Sequence, residues 1–371
     1  MESKTPGLTI IQNFHTFIRF LAATLAQLVE QLTRNEQVVG PSPTGGSFLF
    51  RESFLAVRKH PFNHPWIPSG IVAIGFAVHG MAGDNGRSGF AFLRNDIGAR
   101  PSAMAGAFTA MDRDLHCLFY NPAGLAGFPV RRVSFTYVDH VLDFQAGVAG
   151  YAQRLTRSIR FGVGVIYMNY GTFTWRDILG EETGSSAPSD WAVIAAVADS
   201  LPFGLKAGIS AKYIRSTIAE YWADAAAVHI GLLYTVASQD LNVGIALADL
   251  GKSMHAYSGQ RESLPTSVRF GISKRLAHLP LLFDWDMIRF LPDRKAWYWA
   301  LGGEFTLNEY VLLRLGYHSR GREERDVAGT NRFAGLSFGL GIHLRTLAVD
   351  GGVNQLGMIG KIWQFGISKT F

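Results

Sequence analysis

From Arg131 to the C-terminal Phe371 the chain alternates apolar and small or polar residues with a period of two. In residues 158–168, Ile159, Phe161, Val163, Val165 and Tyr167 alternate with Arg160, Gly162 and Gly164. Leu205, Ala207, Ile209, Ala211 and Tyr213 alternate with Lys206, Gly208, Ser210 and Lys212. Leu336, Phe338, Leu340, Ile342 and Leu344 alternate with Ser337, Gly339, Gly341, His343 and Arg345. Successive side chains on a strand point to opposite faces, so each segment predicts a strand with one greasy and one polar or glycine face. Between turn signals about fourteen such segments begin, near Arg132, Phe144, Ser158, Ser189, Gly204, Ala225, Leu241, Pro265, Pro280, Ala296, Tyr310, Arg332, Leu347 and Lys361.

Alternation alone does not say which face is inside. A soluble sandwich turns its apolar face inward, whereas a membrane barrel turns it out to lipid. Segment length favours the second. Many segments run to 10 residues or more, against about 5–6 for globular strands and about 9–11 for strands that cross a bilayer. Trp175, Trp191, Trp222, Trp297 and Trp363 fall near segment ends, where interfacial girdles form. An even count lets an antiparallel sheet close, and closure leaves no backbone N–H or C=O unpaired in lipid. The expectation is an all-β fold, an antiparallel transmembrane β-barrel of about fourteen strands over residues 131–371. Ser238-Gln239-Asp240 and Leu307-Asn308-Glu309 read as short periplasmic turns, and residues 180–189 and 320–330 as longer external loops.

Composition agrees. Hydrophobic residues make up 48% of the chain and charged residues 17%, below the roughly 25% of soluble domains. Beyond residue 82 no run reaches the ~18 apolar residues that a membrane helix needs. The net charge of +6 falls to +4 once the first 82 residues are set aside, and its cations are scattered. Nucleic-acid binding, which needs a dense basic face, is therefore not expected. The single cysteine, Cys117, allows no internal disulfide and reads as a small buried hydrophobe.

The N-terminal part reads differently. Residues 25–47 contain VVGPSPTGG, similar to the peptide that results when a transfer-RNA gene is translated, so residues 1–56 are expected to be an over-extended reading frame. Residues 57–82 have the make-up of a signal peptide: Arg58, Lys59 and His60, then an apolar stretch over 67–78, then small residues at Gly80 and Ala82. Residues 83–130 contain small residues, acids and helix-like spacing, and are expected to form a small helical hatch inside the barrel.

This hatch block carries a family resemblance. Residues 98–110 (GARPSAMAGAFTA, with Gly106), then Asp112-Arg113-Asp114, then Tyr120-Asn121-Pro122-Ala123-Gly124-Leu125, are similar to the opening of the PorV/PorQ outer-membrane barrels, relatives of the FadL-type fatty acid transporters. Ala105 stands where that family has glycine, and Arg113 splits the acidic pair. The resemblance implies a bacterial outer-membrane location, a fourteen-strand barrel with a hatch, and action through a secretion translocon and cargo proteins. The FadL side of the relationship implies instead a channel for hydrophobic compounds. The two predict different lumens. A transporter is expected to hold an apolar pocket near Phe108, Phe119 and Tyr120, and an escort a blocked lumen with prominent external loops. Within the hatch, Asn121 suits a turn cap and Pro122 fixes φ beside it. The last strand, with Gly366 and terminal Phe371, resembles the signal read by the barrel assembly machinery, although Lys369 takes a position where an apolar residue is usual.

No catalytic chemistry is expected. Gly335-Leu336-Ser337-Phe338-Gly339 matches G-x-S-x-G, but a nucleophile elbow needs a strand, a turn and a helix, and here the alternation runs straight through. The histidines form no metal-binding spacing, so no metal or cofactor is expected. Asp284 and Asp286 read as a lumen-facing pair near Arg289, and the mixed charges at 320–326 as a hydrated loop.

Overall fold

The structure is a computed structural model that describes residues 89–128, 131–177, 181–257, 262–292, 297–321, 333–356 and 360–371. The expected signal segment and everything before it lie outside the described residues, as does most of the 320–330 run.

Among the described residues sixteen strands follow the hatch. They are β1 (Arg132–Asp139), β2 (Gln145–Arg154), β3 (Ile159–Asn169), β4 (Phe173–Arg176), β5 (Glu182–Ser186), β6 (Ser189–Ser200), β7 (Leu205–Ile218) and β8 (Tyr221–Val236), followed by β9 (Leu241–His255), β10 (Ser267–Arg275), β11 (Leu281–Phe290), β12 (Tyr298–Thr306), β13 (Val311–His318), β14 (Leu336–His343), β15 (Leu347–Gln355) and β16 (Lys361–Thr370). All but β4 and β5 form one closed barrel of fourteen strands. Each strand pairs antiparallel with its neighbours, and β1 pairs with β16 from Arg132↔Thr370 to Asp139↔Trp363, which removes the sheet edge. Among the described residues no helix is long and apolar enough to cross a membrane.

The inversion is visible strand by strand. On β1, Val133, Phe135 and Tyr137 are exposed while Ser134 and Thr136 are buried. On β14, Phe338, Leu340 and Ile342 point out and Ser337 in, and on β16, Trp363, Phe365 and Ile367 point out and Gln364 in. Greasy rows that a soluble fold would bury stand on the outside, where acyl chains would meet them. Ser337 is fully buried near the start of a strand that runs on to His343 with no helix after the turn at Gly335, so G-x-S-x-G here is barrel wall.

One expectation needs correction. Residues 180–189 are not simply loop: Glu182–Ser186 pairs with Phe173–Arg176 as a separate hairpin beyond the barrel rim. That hairpin lies at the end opposite Arg132 and Thr370. The turns at 238–240 and 307–309 share the end where the barrel begins and finishes, as their shortness implies.

Lys369 also has a physical account. It lies on the outer face near the strand end, and its ammonium stands 5.1 Å from the Phe371 ring centre. At that height a long side chain can lay its stem along apolar surface and its charge at the interface.

Candidate functional site

Residues 89–128 fill the lumen. The backbone is held in short turns: a one-turn helix at Ala99–Ala103, another at Cys117–Tyr120, and a 3-10 helix at Pro122–Gly127. Asn121 caps the last of these: its Oδ1 accepts from the Ala123 N–H at 3.1 Å, while its Nδ2 donates to Thr109 O at 2.7 Å and to Leu232 O on β8 at 3.2 Å. Pro122 occupies the first turn, where no amide donor is needed. A Cβ on Gly124 would lie 2.4 Å from Met111 O, so only glycine lets the two turns close. Ala105 (φ 56°) and Gly106 (φ 73°) are both left-handed, so the alanine at the resemblance's glycine position keeps the glycine conformation at a steric cost.

Glycines on the inner wall let this segment approach. A Cβ on Gly208, Gly244 or Gly316 would come within 2.4–2.5 Å of hatch backbone at Pro122, Thr109 and Met104–Ala105. The inward glycines of the alternating pattern are thus seats for the hatch rather than lining for open water. Polar ties complete the closure. Asp286 on β11 accepts from the N–H groups of Phe108 and Thr109 at 3.0 Å each and from the Thr109 hydroxyl at 2.6 Å. The expected Arg289 partner is elsewhere, over the Trp297 ring, because residues 286 and 289 fall on opposite faces of the strand. Asp112 pairs with Lys206 on β7. Arg100 donates to Asp114 at 2.6 Å and to both oxygens of Glu304 on β12, at 2.7 and 2.8 Å. Burial alone would raise the Asp114 carboxyl, but His116 and Arg100 beside it hold it well below the usual range. Burial likewise works against the Arg100 charge, and Glu304 and Asp114 overcome it, pushing the guanidinium still higher.

Phe108, Phe119 and Tyr120 are buried inside this packed hatch. Phe108 and Tyr120 sit 5.4 Å apart ring to ring, and Phe119 lies over Gly164 of β3. Tyr120 also fastens the preceding loop: its hydroxyl accepts from the Ile97 N–H at 2.8 Å and donates to Ile97 O at 3.2 Å. Above that loop, toward the hairpin end, lies a cavity of about 200 Å³. Phe108, Phe119 and Tyr120 do not line it; Phe92 and Ile97 of the hatch form its floor instead. Val138, Val148, Ile166, Met168 and Ile362 supply apolar walls from β1, β2, β3 and β16. Around them stand Arg94, Asp96, His140, His318, Arg320 and Gln364. His318 is 6% and Gln364 1% exposed, yet His318 Nδ1 and Gln364 Oε1 have no hydrogen-bond partner, and neither does His140 Nδ1. Buried polar atoms are nearly always satisfied, so three orphans on residues that line one cavity stand out. Burial raises the Asp96 carboxyl, against the pull of Arg320 and Arg269. The sequence did hold one local sign of this cavity: Val165-Ile166-Tyr167-Met168 breaks the alternation, with apolar residues on both faces of β3.

The barrel has known counterparts. It superposes on the toluene transporter TbuX of Ralstonia pickettii with a TM-score of 0.50 and 16% identity, covering 74% of this chain and 98% of that one. The toluene transporter TodX of Pseudomonas putida matches with a TM-score of 0.51 and 14% identity over 74% and 98% of the two chains. A FadL homologue of Pseudomonas aeruginosa gives 0.48 at 11% identity, covering 74% and 97%. The fold is the closed fourteen-strand barrel that TbuX and TodX share. No family model matches the sequence, and no curated protein aligns with it at significance. At these identities the likeness speaks for architecture alone.

Proposed function

We propose that the protein is a channel of the bacterial outer membrane, without enzymatic activity, that takes up compact hydrophobic compounds carrying a polar group. The observation that carries this reading is the outer cavity. An apolar cavity of about 150 Å³ holds benzene, so about 200 Å³ suits one ring with a small substituent. The apolar walls would receive the ring, and the unpartnered His318 and Gln364 atoms its polar end. Toluene, the solute of TbuX and TodX, is of that size. The hatch block, from Gly106 through Asp112 and Asp114 to the Asn121–Gly124 turn, keeps the resting pore shut. Gly366 and Phe371 on the last strand serve as the signal for the assembly machinery.

The sealed lumen favours a second reading, the escort that works through external loops and binds a secretion translocon or cargo. The exposed Phe173 and Trp175 of the β4–β5 hairpin would then be contact residues. One experiment separates the two. Initial uptake of radiolabelled toluene and benzoate is measured in cells whose outer membrane carries the protein or lacks it. The channel reading expects faster uptake with the protein, and equal rates would contradict it.

A further inference from the structure

The cavity above the hatch does not stand alone. Two more voids lie below it along the same wall, where the first and last strands close the barrel. Their registers align in rows: Val138 with Gln364, Thr136 with Gly366, and Ser134 with Ser368. Val138 and Gln364 line the outer cavity. Thr136 and Gly366 line a void of about 10 Å³, room for about one water. Ser134 and Ser368 line a third, of about 100 Å³, which reaches the Arg132 and Thr370 end.

Packing on this side is looser than elsewhere. A Cβ on Gly366 would meet its nearest atoms, Ala99 Cβ and Thr136 Oγ1, at 3.3 Å, while at Gly208, Gly244 and Gly316 it would overlap hatch backbone at 2.4–2.5 Å. The hatch is thus wedged against β7, β9 and β13 and only rests on β16. Between the rows of the outer and middle voids, Gln364 Nε2 donates to Asp96 O at 2.9 Å, and the Ala99 methyl lies against Gly366.

We propose that solute passes from the outer cavity to the far end along the β16–β1 seam, with the hatch staying seated on the remaining strands. This route rests on the uptake reading for the identity of its solute. Its walls are Ser134, Thr136, Ser368 and Gly366 together with the charged or ionisable Arg100, His116 and Asp350, which suits a compact molecule with a polar group that can trade hydrogen bonds on the way, and Gln364 is the gate.

The test uses the full protein in outer membranes, scored on the folded, heat-modifiable band. Thr136→Cys and Ser368→Cys are exposed to a small charged methanethiosulfonate, with Ser210→Cys, on the tightly packed side, as control and the wild type, whose Cys117 is buried, as background. Thr136→Cys and Ser368→Cys should react about tenfold faster than Ser210→Cys, the difference expected between a site on the solute's route and one reached only by local unfolding. The adduct should slow benzoate uptake, and Gln364→Ala should quicken labelling at Thr136→Cys. Equal labelling rates at all three positions, or a Thr136 adduct that leaves uptake unchanged, would overturn the route. Absence of any uptake by the wild type sinks the substrate reading instead, and the labelling rates still decide the seam.

Discussion

At the scale of single residues, Arg100 joins the hatch to the wall. It bridges Asp114 and Glu304, and Glu304 in turn accepts from Arg314 at 2.7 Å, with Arg314 donating to Asp350 at 2.6 Å. Arg314 is fully buried, so each charge in the chain depends on the next. Removing one member of a buried pair strands its partners and costs roughly 3–5 kcal/mol. Arg100→Met should therefore lower stability by about that amount, read as the urea midpoint of the detergent-solubilised barrel, and an unchanged midpoint would show that the latch is not formed. The same latch responds to pH. Because the folded Asp114 carboxyl sits below its unfolded value of about 3.9, its contribution is complete above that value and is lost as pH falls through the folded one. An Asp114→Asn protein should lose stability at neutral pH and show a flatter stability profile between neutral and strongly acidic pH.

At the scale of elements, the glycine seats and the hatch turns fit as a pair. Gly244→Ala places a methyl into Thr109 O and should force the hatch off β9, costing roughly 1–3 kcal/mol for the overpacked contact. Gly366→Ala meets only 3.3 Å contacts and should cost clearly less. Parallel unfolding curves of the two variants check this, and equal losses would mean the hatch is seated evenly all round. The strands themselves were legible: all fourteen expected starts fall within a few residues of barrel strands, because alternation is a local property that each strand carries by itself. The β4–β5 hairpin was missed since Glu182–Ser186 is polar throughout and has no apolar face to alternate. Asn121 and Pro122 were legible as a turn for the same local reason.

At the scale of the molecule, the cavity was not legible. Its walls come from six strands and a hatch loop far apart in sequence, and their convergence depends on barrel closure and on how deeply the hatch sits. Phe108, Phe119 and Tyr120, near which a transporter was expected to hold an apolar pocket, pack within the hatch, and buried aromatics near a motif look alike in sequence whether they line a space or fill one. Among the described residues the barrel presents a greasy exterior, a plugged middle and an apolar basin on the hairpin side of the hatch. Equilibrium binding of a single-ring carboxylate such as benzoate to the purified barrel, followed by titration calorimetry, tests this picture most directly. Val148 and Ile166 face each other across β2 and β3 in the cavity wall. The wild type should bind at one saturable site and Ile166→Trp, which fills the basin, should not; binding that persists undiminished in Ile166→Trp, or fails to saturate in the wild type, would contradict it.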